Sequence, residues 1–313
     1  MKRFLLFIFF VACMLAVLLS LAFVAQHEQR SLNTIIWNKD PLRNVLLAAT
    51  AMALVCFVFG LATGDNSWVD RLWSILPPLY ALYFSARAWP DSRTTILCAL
   101  VWLWGARLTW NFAKKGGYAG EEDYRWAILR NRIRNPLLWQ LFNLGFISLA
   151  QMAIIALFTS PFHFLYLNRG KKPDFSFWLI CIAFVLFLLI ETTADLQQER
   201  FQKAKKLFKA GGSVPERWKK EVSQGFISSG LFKYSRHPNY FGELGQWFCI
   251  ALAGYSTSGS ILSFVGFIFL AALFAGSTTF TESISHSKYP QYTEYQKNTS
   301  TLIPWPPGIP KSR

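Results

Sequence analysis

Residues 175–194 read Phe-Ser-Phe-Trp-Leu-Ile-Cys-Ile-Ala-Phe-Val-Leu-Phe-Leu-Leu-Ile-Glu-Thr-Thr-Ala, and no charge interrupts them before Glu191. A helix of twenty such residues rises about 30 Å, the thickness of a bilayer's hydrocarbon core, so the stretch predicts a membrane span. Outward from it, similar apolar blocks lie near 4–25, 43–62, 69–88, 94–113, 137–159, 240–256 and 260–280. Because these residues gather in blocks and do not alternate, the expected fold class is all-α: a polytopic membrane helical bundle of about seven to eight transmembrane helices.

Composition points the same way. The 313 residues are 53% hydrophobic and 17% aromatic, with only 16% charged. A formal net charge of +15 would suit a nucleic-acid binder, but no nucleic-acid motif accompanies it. Most Lys and Arg fall in alternate loops between apolar blocks, as positive-inside topology requires, which places both termini in the cytoplasm. The run 4–25 follows Lys2 and Arg3 as a signal peptide would. It is nevertheless long enough to span, and Gln26-His27-Glu28 offers no small-residue cleavage site, so an uncleaved first helix is expected. The reading is of N-terminal membrane helices over 1–62, then one membrane domain over 63–313 with cytoplasmic loops 114–136 and 195–239.

Cys13, Cys56, Cys98, Cys181 and Cys249 each sit inside an apolar block, outside metal-ligand spacing, and read as packing residues. Dinucleotide-fold, P-loop, nucleophile-elbow and zinc-protease motifs are all missing. Any cofactor must therefore be held by membrane helices and their loops.

Charge inside apolar blocks is the informative exception, since an Asp or Arg at a helix centre costs at least about 2.5 kcal/mol on insertion scales. Asp70, Arg71, Arg107, Glu191, Asp195, Glu243 and Glu282 are such residues. Either a shared polar cavity or private ion pairs and snorkelling would accommodate them. In loop 114–136, Glu122, Asp123 and Tyr124 suit a cap over a ligand, while the arginines suit anionic lipid. Beyond Asp195, the Lys-rich stretch with Phe201, Ala204, Leu207 and Phe208 reads as an amphipathic helix along the membrane surface, ended by Gly211-Gly212-Ser213.

The densest polar stretch is 229–247, Ser-Gly-Leu-Phe-Lys-Tyr-Ser-Arg-His-Pro-Asn-Tyr-Phe-Gly-Glu-Leu-Gly-Gln-Trp. Pro238 disfavours helix at His237, so Asn239 is expected to cap a helix that continues into the apolar block. Its N-terminus beside Arg236 and His237 would attract phosphate, with Gly242 allowing close approach of a ligand. Basic residues anchoring a helix to lipid headgroups form the competing reading.

The run Gly230 to Glu243, together with Asp195, Glu282, Tyr289-Pro290, Tyr292, Tyr295 and Leu302-Ile303-Pro304, resembles the steroid 5-alpha-reductase superfamily. The likeness is greatest to its bacterial and eukaryotic branch of unknown function carrying the steroid-reductase C-terminal domain. That branch is similar also in Asn66 to Trp73, in Trp104-Gly105-Ala106-Arg107-Leu108 and in Glu122-Asp123-Tyr124-Arg125, so the likeness extends from about 64 to 304.

The resemblance implies a membrane oxidoreductase that binds NADPH in a cytoplasm-facing cavity and reduces a carbon-carbon double bond of a lipid or sterol-like substrate. By the same resemblance Arg107, Asp195, Asn239 and Glu243 contact the dinucleotide, while Tyr234, Arg236, His237, Tyr240 and Glu282 line the site. Hydride transfer to an enone needs a proton donor, for which Asp70 and Tyr240 are the candidates.

Two departures limit the transfer. Steroid-reducing members carry small residues where this chain has Arg236-His237-Pro238, and Trp104 stands where their catalytic Tyr aligns, so their substrate and catalytic pair are not carried over. The Arg-His-Pro form is shared with sterol double-bond reductases and with isoprenylcysteine carboxyl methyltransferases, which use S-adenosylmethionine. Those methyltransferases usually pair two Glu residues near the last cytoplasmic segment, whereas here Ser283 follows Glu282. A non-catalytic lipid-binding relative is the third reading.

Overall fold

A computed structural model of the chain describes residues 40–120 and 122–307. Regular structure among the described residues is helical, apart from one isolated parallel bridge between Ser235 and Ser300. In chain order the elements are α1 (Pro41–Thr63), α2 (Trp68–Leu72), α3 (Leu76–Ala88), α4 (Ser92–Lys114), α5 (Tyr124–Ile133), α6 (Pro136–Leu167, in several turns of differing pitch), α7 (Phe175–Lys209), α8 (Glu216–Gln224), α9 (Pro238–Ser258), α10 (Val265–Lys288) and α11 (Tyr292–Asn298).

Five helices among the described residues are long and apolar enough to cross a membrane: α1, α4, α6, α7, and α10 with the short turn from Ile261 that leads into it. The expected number of seven to eight is thus met only in part. Residues 4–25 lie outside the described residues. The block at 69–88 is broken, because Pro77 and Pro78 lack the N–H that a helix interior needs and are accommodated only in a first turn, so helix restarts at Leu76. Its 13 residues rise about 20 Å, short of a span. The block at 240–256 forms α9, a helix of 21 residues, but Asn239, Glu243 and Gln246 keep it out of the apolar set.

The described residues divide into two compact units, one built from those up to Phe177 with Ile250–Gly266, the other from Trp178–Cys249 and those from Phe267 onward. In the first unit, short polar side chains start several of the helices. Asp40 accepts from Leu42 N–H at 2.9 Å, Asp91 from Thr94 N–H at 2.9 Å, and Asn135 from Leu137 and Leu138 N–H at 2.9 and 3.1 Å. Each such cap stabilises its helix by about 1 kcal/mol. Helices α3 and α4 approach closely at Gly105, where a Cβ would stand 2.4 Å from Pro78 Cγ and 2.7 Å from Ser74 O. Leu76, Phe84, Leu97, Val101 and Trp104 are buried.

In the second unit α7 and α9 meet through Gly242 and Gly245. A Cβ at Gly242 would lie 2.8 Å from Phe187 O and 2.7 Å from Glu191 Cβ, and one at Gly245 would strike the Phe187 ring at 2.2 Å. Gly242 therefore admits a neighbouring helix and not a ligand, which corrects the sequence reading. The Lys-rich end of α7 is also corrected: Phe201 and Ala204 do not face a membrane surface but pack with Val214, Trp218, Val222, Ile227 and Phe232. The Phe201 and Trp218 rings are 6.0 Å apart. Leu207 and Phe208 stay exposed. Helix α7 stops at Lys209, and Gly211 at φ +75° takes the left-handed turn that follows.

Candidate functional site

Helix α9 starts two residues earlier than a cap at Asn239 would place it. Pro238 occupies the first helical position, where its missing N–H removes no bond, and Phe241 N–H donates to His237 O at 3.1 Å. His237 is thus the boundary residue, and Asn239 lies in the first turn instead of capping it.

Arg236, just before that boundary, is buried and binds in several directions at once. Its Nε donates to Glu282 Oε1 at 2.6 Å and its Nη2 to Glu282 Oε2 at 3.0 Å, a two-pronged pairing that Lys cannot make. Nη2 also donates to Thr301 Oγ1 at 2.7 Å, and Nη1 donates to Gln296 O at 3.0 Å and to Thr299 O. All five guanidinium N–H groups are engaged within the protein.

Glu282 gathers the rest of the cluster. Besides Arg236 it accepts from Gln296 Nε2 at 2.9 Å and pairs with His237 Nε2 at 3.0 Å. An ionised carboxylate has no proton to give, so His237 carries hydrogen on Nε2. The His237 ring stacks on Tyr240 at 5.3 Å, and Tyr240 stacks on Phe274 at 4.7 Å. Burial pushes the Tyr292 hydroxyl up to about 12 and that of Tyr295 higher still, so both remain neutral donors, and Tyr295 Oη donates to Phe232 O at 2.5 Å.

Farther along α9, Gln246 is fully buried and donates from Nε2 to Glu191 Oε2 at 2.7 Å and to Gly242 O at 3.1 Å; its Oε1 has no partner. Asn239, Glu243 and Gln246 recur at i, i+4, i+7 on α9, as Glu191, Asp195 and Gln198 do on α7. The contacts at Gly242 and Gly245 run the two helices antiparallel, which sets Asn239 near the level of Asp195 and Glu243 near that of Glu191. Glu191, Asp195 and Glu243 are all buried. The sequence reading missed Gln246, although its seven-residue spacing from Asn239 in an apolar helix marks it. It also missed Gln296 and Thr301, for which no local signal exists.

The first unit holds its own polar cluster. Two motifs about 56 residues apart in sequence meet here: Asn66 N–H donates to Glu122 Oε1 at 2.9 Å, Asp123 N–H to Ser67 Oγ at 2.8 Å, and Trp126 Nε1 to Asp70 Oδ2 at 2.9 Å. Arg71 is buried, paired with Asp65 at 2.6 Å and donating from Nε to Gly117 O at 3.0 Å, and its guanidinium lies 4.5 Å from the Trp68 ring centroid. Arg130 donates to Glu122 and Asn66, and Arg125 to Asp123, so these arginines serve the fold where lipid contact was expected. Arg132 and Arg134 are exposed. Replacing Glu122 with Ala strips an acceptor from Asn66 and Arg130, and is expected to lower stability by about 1–3 kcal/mol and to open loop 114–136 to limited proteolysis. Protease resistance equal to the wild type would show that the staple is dispensable.

Of the residues singled out in the sequence, Asp70 and Arg107 belong to the first unit; Asp195, Tyr234, Arg236, His237, Asn239, Tyr240, Glu243 and Glu282 belong to the second. The structure joins Arg236, His237 and Glu282 directly and Tyr240 through ring stacking, while Tyr234 is exposed.

Helical structure, five apolar helices and buried charge together define a multi-pass membrane protein. The chain belongs to the family described as Protein of unknown function (DUF1295), whose model matches residues 56–299. It is 33% identical over 279 residues to an uncharacterized protein of Schizosaccharomyces pombe, covering 86% of this chain and 81% of that one. It is also similar to 3-oxo-5-alpha-steroid 4-dehydrogenase 1, at 36% identity over 78 residues for the Rattus norvegicus protein and 35% over 78 for that of Mus musculus; each match covers 24% of this chain and 27% of the relative. This places the family near the steroid 5-alpha-reductases. No solved structure matches.

Proposed function

We propose that this chain is an integral membrane oxidoreductase that uses NADPH, from the cytoplasmic side, to reduce a carbon-carbon double bond of a lipid or sterol-like substrate. The observation that carries the reading is the pair of polar stripes on α7 and α9, in which Glu191, Asp195, Glu243 and Gln246 are buried, Gln198 and Asn239 half-buried, and Gln246 Oε1 is left without a partner. Intramembrane polar groups of this kind are retained for use. Buried acceptors suit the ribose hydroxyls and carboxamide N–H groups of a dinucleotide, so the acceptor set fits the cofactor. The partial likeness to dehydrogenases of 3-oxo-5-alpha-steroids adds a reaction class, in which redox chemistry takes place beside a carbonyl.

NADPH when bound supplies hydride. Asn239, Asp195 and Glu243 would bind and orient it. Because Arg236 is fully engaged by protein acceptors, phosphate contact would fall to His237 and the first turn of α9, and the Arg236–Glu282 pair holds that turn in place. Tyr240, fixed between His237 and Phe274, is the proton donor. Asp70 and Arg107 lie in the other unit and no step is assigned to them.

Thermal unfolding of the detergent-solubilised chain tests the reading. A ligand at 100 times its dissociation constant adds about 2.7 kcal/mol to the folded state, and NADPH is expected to do so. Asn239→Ala is expected to weaken NADPH about tenfold, or about 1.4 kcal/mol. Stabilisation by S-adenosylmethionine without any by NADPH would replace this reading with a methyltransferase, and stabilisation by neither would leave a lipid-binding protein.

A further inference from the structure

The segment that follows α11, residues 299–305, is an irregular strap with two different faces. Its inner face is tied to the stretch before α9. Arg236 N–H donates to Ser300 O at 2.8 Å, His237 N–H to Thr301 O at 3.2 Å, and Ser235 Oγ to Leu302 O at 2.7 Å. Ser300 Oγ and Trp305 N–H both donate to Tyr234 O, at 2.8 and 2.9 Å. With its main chain fixed in this way, the strap has no freedom to fold its large side chains inward.

Those side chains face outward. Ile303 is 68% exposed, Trp305 50% and Tyr234 42%, and Pro304 and Pro306 beside them are exposed too. Burying such groups is favourable, and nothing among the described residues of the second unit covers them. Their chemistry selects the cover: Trp and Tyr favour the headgroup level of a bilayer, where an apolar ring and a polar tip are both accommodated. Charge agrees. Lys233 and Lys297 are exposed nearby, Glu294 is hydrogen-bonded to Asn298, and the sequence continues to Lys311 and Arg313. The position agrees as well, for the patch is tied within four residues of the start of α9, and the clamp residue Glu282 comes from α10, a helix apolar enough to span.

We infer that Tyr234, Ile303 and Trp305 seat the strap in an anionic headgroup layer, so that the bilayer surface bears on the segment holding Arg236 and His237. This requires no assumption about cofactor or reaction.

The test uses the full chain in lipid nanodiscs, with Trp305→Cys in a Cys13→Ser background labelled with bimane; the four cysteines the structure describes are buried. Brominated phosphatidylserine is expected to quench the label at least about twofold more strongly than aqueous iodide, and neutral phosphatidylcholine should narrow that difference. Ile303→Cys, labelled in the same way, gives a second reading should the first variant fold poorly. Stronger quenching by iodide would mean that the patch faces water, and resistance to both quenchers would mean that protein covers it, whether a second copy or another chain. Either result overturns the inference.

Discussion

Arg236→Ala is expected to destabilise the protein by about 3–5 kcal/mol, measured by unfolding in detergent without added ligand. The size follows from what the substitution leaves behind. Glu282 would keep a buried charge with only His237 and Gln296 as partners, and the carbonyls of Gln296 and Thr299 would lose their donor. Arg236→Lys should recover little, since an ammonium cannot meet both Glu282 oxygens and three further acceptors from one position. The double variant Arg236→Ala with Glu282→Ala should be less destabilised than the sum of the singles, because it removes the orphaned charge as well. A loss below about 1 kcal/mol in the single variant would contradict the description of this pair as buried and saturated.

The second large effect is expected at Gly266, where Ala should cost about 1–3 kcal/mol or more. A Cβ there would stand 2.1 Å from the carbonyl carbon and oxygen of Leu157 and 2.3 Å from Phe158 N. Main chain cannot rotate aside as a side chain does, so α6 or α10 must shift. Helix propensity works in the opposite direction, because Ala is favoured over Gly by roughly 0.5–1 kcal/mol in a helix, and here the clash wins. Gly276 supplies the control: nothing lies within 4 Å of its Cβ position, and Gly276→Ala should be neutral or stabilising. Equal effects at the two glycines would show that close helix contact at Gly266 does not matter.

What could be read beforehand divides along physical lines. Apolar blocks are a local signal, and α1, α4, α6, α7 and α10 were all legible from them. The block at 69–88 is apolar enough to read as a span, but Pro77 and Pro78 cut its helix short. Helix α9 was legible as a helix, yet its start was displaced by two residues, since both Pro at the first position and Asn as a cap were consistent with the sequence. Phe201 and Ala204 form the same stripe whether they face lipid or Trp218, and only tertiary structure decides between these. The polar stretch around Arg236 was conspicuous, but its partners Gln296, Thr299 and Thr301 lie some 60 residues away and carry no pattern linking them to it. The pairing of the segment at Asn66 with that at Glu122 was likewise invisible, although each had been noticed on its own.

Helix α7 runs unbroken for 35 residues, a rod of about 52 Å where the hydrocarbon core is about 30 Å thick. About 20 Å therefore stands clear of the apolar layer, with Trp218 and its neighbours packed against the projecting end. Spanning helices meet a thicker or thinner bilayer by leaning, and a lean of about 5° about one end carries the other end of such a lever sideways by about 4–5 Å. The head built on Phe201 is therefore expected to move sideways when the chain passes between bilayers of different thickness.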